Sequence, residues 1–116
     1  MNKVFLVGSM KDAPESRRTR DGNKMFATAT LTTSEKFRDE WKNEYHSLII
    51  PERIAENFCR LVMKHDKVLV EGKIEYSKVG EGDNVKYYTN IAVRSFSLLT
   101  DRKRPNYNKS VEVEEF

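Results

Sequence analysis

Between Pro51 and Lys67 the apolar residues fall at helical spacing, and no other segment repeats that pattern. Ile54, Ala55, Phe58, Leu61 and Val62 line one helical face. Pro51 suits the first helical position, where its missing N–H costs nothing. Glu52 favours the positive helix start, and Lys64 and His65 are expected in the last turn. Asp66 and Lys67 close the helix. A chain with one helix must build the rest of its core from strands, and the flanking sequence supplies them.

Asn2 to Gly8 reads as a strand, rich in β-branched and aromatic residues and ended by glycine. Lys24 to Thr33 alternates with a period of two: Met25, Ala27, Ala29 and Leu31 share one face. The alanines point to a crowded inner face, as in a small barrel. Tyr45 to Ile50 is a third strand. After the helix, Val68, Val70, Gly72, Ile74 and Tyr76 share a face, and Tyr87, Thr89, Ile91 and Val93 do so in a last long strand from Val85 to Leu99. Asp21-Gly22 and the run Gly80 to Asn84 are turn signals. Ser34 to Glu44 is highly charged and reads as a loop, although it carries Phe37 and Trp41.

Three strands, a helix and two strands is the layout of the OB-fold, a five-stranded Greek-key barrel with its helix between the third and fourth strands. Hairpins are expected to join the first strand to the second and the fourth to the fifth. Residues 1–100 form the expected domain, and residues 101–116 a basic linker with an acidic tip.

At 116 residues, 34% charged and 38% apolar, with a mean hydropathy of −0.72, the chain has room for one small core. Its longest apolar runs fall far short of the roughly 20 residues that a bilayer-spanning helix needs, and no signal peptide is visible. The lone Cys59 forms no internal disulfide, which fits a reducing cytosol. Residues 1–100 hold 17 basic and 14 acidic side chains, while Ser110 to Phe116 hold three acids and no base. A basic body suits an anionic partner such as nucleic acid, or forms a solvated surface. Acidic chain ends often act as interaction tails.

Chemistry-bearing motifs are absent: no nucleophile elbow, Walker loop or dinucleotide fingerprint occurs. His46 and His65 with one cysteine are too few for a zinc site, and no cofactor is expected. Gly80-Glu81-Gly82 lies between strands and carries acids that repel phosphate, so it reads as a turn. His46, between Tyr45 and Ser47, reads as packed or at an interface, and Cys59 as structural. Aromatic residues interleaved with basic ones stand out instead: Lys36-Phe37-Arg38, Trp41-Lys42 and Tyr45. Exposed rings among cations suit base stacking beside a phosphate backbone. Equally, Phe37 and Trp41 fit a satellite cluster or an oligomer contact. Tyr76 and Tyr87 share parity with the core positions of their strands and read as packed.

Several segments together resemble the bacterial single-stranded DNA-binding protein family. Met1 to Gly8 resembles its first strand, and Asp12 to Arg17 its Asp-Pro-Glu-Val-Arg turn with one inserted residue. Ala27 to Glu35 resembles the second strand, and Tyr45-His46-Ser47-Leu48 stands where the family commonly has Trp-His-Arg-Val. Ile54-Ala55-Glu56, Val68 to Ile74 and Tyr87-Tyr88-Thr89 match the helix and the last two strands. The resemblance covers about residues 1–99.

It implies an OB-fold that is not an enzyme and that coats single strands during replication, recombination and repair. A cytoplasmic, nucleoid-associated homotetramer is the form implied. Stacking aromatics carry over to Phe37 and Tyr45, basic contacts to Lys3 and Arg17, and a subunit contact to His46. Pro51 and Val79 stand where the family has two further stacking rings. Trp41 is read here as a substitute platform, and Arg18, Lys42, Lys73 and Lys78 as additional contacts from local charge. The family's acidic tip corresponds to Glu112, Glu114, Glu115 and Phe116, which would recruit replication and repair proteins. An OB-fold accessory protein of the primosome or of recombination, acting mainly through protein contacts, is the alternative; a small hydrolase is more distant.

Overall fold

The computed structural model describes residues 1–101. The strands are β1 Val4–Met10, β2 Glu15–Arg18, β3 Met25–Phe37, β4 Glu40–Ile50, β5 Lys67–Val79 and β6 Lys86–Leu98, with helix α1 Glu52–Leu61 between β4 and β5. The sheet order is β1-β5-β6-β4-β3-β2, and β1 returns to β3. Five strands therefore close a barrel, the OB-fold, with β2 added outside on β3. Every pairing is antiparallel except β4 with β6, which meet in parallel at Leu48↔Ile91 and Ile49↔Ala92.

The first strand differs from expectation in two ways. It begins at Val4, and Asn2 joins it through a side chain instead. The Asn2 Nδ2 donates to the Ile74 carbonyl at 2.8 Å while its Oδ1 accepts from the Ile74 N–H at 3.0 Å. The carboxamide thus imitates one more backbone pair. Nor does β1 form a hairpin with β3. It runs along β5 from Val4↔Gly72 to Ser9↔Lys67 and touches β3 only at Ser9↔Thr32 and Met10↔Leu31. Gly8 permits that crossing: a Cβ there would lie 2.3 Å from the Thr32 carbonyl oxygen.

The core follows the sequence alternation. Ala27 and Leu31 of β3, Leu48 and Ile50 of β4, Val68 and Val70 of β5, and Ile91 and Val93 of β6 are buried. Ala27 pairs with Ile50, so a small residue faces a large one. Helix α1 lays Ile54, Ala55, Phe58 and Leu61 onto this core. The Phe58 and Phe96 rings meet edge to face, with centroids 4.8 Å apart.

Pro51 is the N-cap of α1, one position before the first turn expected of it, and the helix stops at Leu61. Lys64 and His65 consequently lie beyond the last turn, whose basic residue is Arg60. Local polar competition explains the early stop. The Asp66 Oδ2 accepts from the Met63 N–H at 2.7 Å, and His65 turns left-handed at φ +70°. The Met10 N–H then donates to the Asp66 carbonyl at 2.8 Å, and the His65 N–H to the Met10 carbonyl at 2.9 Å.

The segment Ser34 to Glu44 is not a loop. β3 and β4 stay in register from Ala27↔Ile50 to Phe37↔Glu40. Only Arg38 and Asp39 form the turn, both left-handed at φ 50° and 67°, the backbone that a two-residue hairpin requires. Ser34 Oγ donates to Asn43 Oδ1 at 2.6 Å across this arm. Charge marks exposure here, and an exposed hairpin needs no apolar face. Likewise β2 forms within the polar stretch before Asp21-Gly22. Thr19 Oγ1 and the Asn23 N–H both donate to the Asp21 carboxylate in that turn, which holds its pKa below the ordinary value.

Candidate nucleic-acid interface

Two hairpins project past the barrel, and their exposed rings define the candidate surface. On the β3–β4 arm, side chains alternate between two faces. The registers Lys36↔Trp41, Ser34↔Asn43 and Thr32↔Tyr45 put Trp41 and Tyr45 together on one face. Phe37 lies on the other, with Glu35, Lys42 and His46. The three aromatics singled out in the sequence therefore share an arm but not a face. Trp41 is 69% exposed, Phe37 65% and Tyr45 60%.

Cations accompany these rings. Lys11 Nζ is 5.0 Å from the Tyr45 centroid, the Arg38 guanidinium 5.2 Å from that of Phe37, and Lys3 Nζ 5.6 Å from that of Phe5. Such contacts contribute about 0.5–1 kcal/mol at exposed sites. More importantly, each places a positive head beside a ring face on which a base can stack. Lys42 lines a small depression with Phe37, Glu40 and Trp41.

The β5–β6 arm corrects the reading of two tyrosines. Tyr76 is 75% exposed and Tyr87 72%, although both keep the parity of core positions. Ile74↔Ile91 is the last apolar cross-strand pair; beyond it the registers are Tyr76↔Thr89 and Lys78↔Tyr87. Both strands run off the barrel there, so the inward face has nothing left to cover it. Tyr76, Lys78 and Tyr87 form a patch on that face with no carboxylate among its paired positions. The available sequence signal was the polar partner opposite each ring. Tyr88, 49% exposed, lies on the reverse face opposite Ser77.

The remaining basic candidates are dispersed. Arg17 on β2 pairs with Glu15 at 2.7 Å and donates to Thr28 Oγ1 at 3.2 Å. Its neighbour Arg18 donates to the Gly22 carbonyl at 3.4 Å. Lys3 lies 3.5 Å from Glu71, and Lys73 3.1 Å from Glu75. The Arg17–Glu15 and Lys73–Glu75 pairs are exposed and weak, which leaves those two cations available. His46 is half-buried, with its Nε2 hydrogen-bonded to Thr33 Oγ1 at 2.8 Å. It walls a groove of about 550 Å³ with Phe5, Val7 and Phe37. Phe5 and Val7, exposed on β1, were not singled out in the sequence. Their strand alternation placed them opposite the buried set, and that was the signal.

Cys59 packs half-buried against the core, and burial pushes its thiol pKa up, away from the reactive thiolate. Among the described residues no cluster of three His, Cys, Asp or Glu gathers to hold a metal, and no helix is long and apolar enough to cross a membrane. Glu112, Glu114, Glu115 and Phe116 lie outside the described residues.

Comparison with known proteins bears on this geometry. A single-stranded DNA-binding protein of Rickettsia prowazekii (strain Madrid E) is 29% identical over 119 residues, covering 93% of this chain and 78% of its own length. That of Rhizobium meliloti (strain 1021) is 32% identical, covering 86% and 62%, and that of Lactiplantibacillus plantarum is 31% identical, covering 88% and 52%. The chain thus spans between about half and three-quarters of the length of these relatives. A structure described as Plasmodium falciparum SSB complex with ssDNA superposes with a TM-score of 0.77 at 24% identity, over 86% of this chain and 96% of that one; it shares the barrel fold. The family model described as the single-strand binding protein family matches residues 1–110. With a barrel of the same fold and a sequence match running through nearly its whole length, the chain belongs to the single-strand binding protein family.

Proposed function

We propose that this chain binds single-stranded DNA with little sequence preference, serving replication, recombination and repair. The observation that carries the reading is the set of exposed rings on two projecting arms, each with cations beside it, in a member of this family. Bases stack on Trp41, Tyr45 and Phe37, with Tyr76 and Tyr87 supplying a second platform. Every base has a π-face, so stacking tolerates any sequence. Lys3, Arg17, Arg18, Lys42, Lys73 and Lys78 meet phosphates. Binding is expected to weaken with salt, with a log–log slope of about −0.7 per phosphate neutralised. Titrations of an oligonucleotide across a salt series measure it, and a flat response would remove the phosphate contacts.

The same reading makes the protein a cytoplasmic, nucleoid-associated homo-oligomer, with a tetramer favoured. Its support is the groove in which His46 lies beside exposed Phe5 and Val7 of β1. A second chain would cover that apolar surface. His46→Tyr is expected to overpack the contact and weaken assembly. Sedimentation giving a monomer for the unaltered protein at micromolar concentration would defeat the oligomer. Residues 110–116 are read as a partner-recruiting tip, in which Phe116 enters a basic-rimmed pocket steered by Glu112, Glu114 and Glu115. Deleting them should end capture of replication and repair proteins while DNA affinity stays equal or rises; unchanged capture would leave the tip without that role.

A further inference from the structure

We propose that Asn2 is a positioning residue for the β5–β6 arm: its side chain fixes the base of that arm and thereby the place of Tyr76 and Tyr87. The inference rests on the reading that bases stack on these two rings, and it adds a residue that acts without touching a base or a phosphate. The β1–β5 ladder ends at Val4↔Gly72, and the same register continued by two residues sets Asn2 opposite Ile74. The Asn2 backbone lies outside β1. Its carboxamide stands in for the missing pair, donating to the Ile74 carbonyl at 2.8 Å and accepting from the Ile74 N–H at 3.0 Å. A primary amide holds a donor and an acceptor in one plane, as a peptide does, so both Ile74 groups are satisfied by one side chain.

Ile74 is the level at which the arm leaves the barrel. It pairs with Ile91 of β6, and Ile91 is also where β4 parts from β6, at the end of the short parallel pairing Leu48↔Ile91 and Ile49↔Ala92. The two strands of the arm are thus held at one height, β6 by β4 and β5 by Asn2. Without the carboxamide, the last hold on β5 falls back to Gly72. That residue adjoins the shift in β5–β6 register between Glu71 and Gly72, and irregularities of this kind bend and twist a strand.

The rings depend on that hold. Tyr76 follows Ile74 by two residues on the same face, and Tyr87 is its diagonal neighbour across the strand pair. Both are exposed, so their place is set by the strands beneath them more than by packing of their own. Past Ile74, β5 runs on to Val79, about 17 Å at the rise of a strand, so a swing of about 10° at the base carries the tip about 3 Å. Such a displacement is enough to take a ring out of stacking contact.

The test is a pair of mutant cycles on binding of a labelled dT oligomer, read by anisotropy. N2A is expected to lower affinity about three- to tenfold, a part of the roughly five- to 150-fold that one stacked base is worth. Added to Y76A/Y87A it should cost almost nothing more, because the rings it positions are gone. Added to W41A, on the other arm, the two losses should multiply, as for independent sites. Hydrogen exchange at the Ile74 amide should quicken in N2A, while the Val68 and Val70 amides, inside the ladder, stay protected. N2S, whose side chain is too short to bridge both Ile74 groups, repeats the cycles with a milder change should N2A not fold. A loss that multiplies in both backgrounds would make Asn2 a matter of general stability or of its own DNA contact, and would overturn the role, as would unchanged affinity in N2A. Undiminished binding by Y76A/Y87A would take this arm out of the DNA path and the role with it. Failure of the unaltered protein to bind dT would instead sink the single-strand reading itself.

Discussion

Replacing Phe58 by alanine is expected to lower the free energy of unfolding by about 3–5 kcal/mol. Phe58 is fully buried, projects from α1 onto the barrel and meets Phe96 edge to face at 4.8 Å. Its removal loses the transfer energy of the ring and leaves a cavity that the surrounding strands, tied by their hydrogen-bonded ladders, fill poorly. It also loosens the helix, because α1 is only ten residues long and a helix of that length is marginal without its packing. Single domains hold roughly 5–15 kcal/mol in total, so the loss is a large fraction of the whole. Urea denaturation followed by circular dichroism measures it as a fall in midpoint at constant slope. Tyr76→Ala, on the uncovered face of the β5–β6 arm, is expected to shift stability by under about 0.5 kcal/mol. Equal losses for the two variants would contradict the assignment of core and arm.

The second large effect falls on binding. Trp41→Ala and Tyr45→Ala should each weaken single-strand affinity by about 1–3 kcal/mol, and the double variant by about 2–6 kcal/mol. The two residues lie four positions apart on one face of β4, a separation of roughly 13 Å at the rise of a strand. Groups that far apart with no shared partner act nearly independently, so each engages its own base. Phe37→Ala tests the opposite face of the same arm. Filter binding or anisotropy with a labelled dT oligomer gives the affinities, and near-native binding by the double variant would remove this face from the DNA path.

The barrel was legible because its strands are half-buried. Alternation at Met25 to Leu31 and at Val68 to Gly72 identified the inner face, and the stripe from Ile54 to Val62 identified the helix. What escaped lay where alternation no longer reports burial. On the β3–β4 arm both faces are exposed, so Ser34 to Glu44 looked like a loop, and the Arg38–Asp39 turn lacks the Asn-Gly or Asp-Gly signature. On the β5–β6 arm the opposite error arose: Tyr76 and Tyr87 continue the core parity past the point where the core ends. Strand ends are set by tertiary contacts, and a period of two carries no mark of where the neighbouring layer stops. The site was legible in kind, as rings among cations, but not in arrangement. That Phe37 faces away from Trp41 and Tyr45 follows from register, which depends on a two-residue turn.

Trp41 is the only tryptophan in the chain, so its emission reports directly on whether single strands reach the β3–β4 arm. Its emission is followed while dT oligomers of increasing length, and then a duplex of matched length, are titrated in at fixed salt. Saturable quenching by the single strands is expected, with affinity that grows with length until the surface is filled and far weaker binding of the duplex. Comparable affinity for the duplex, or binding shown independently with no change in Trp41 emission, would contradict it.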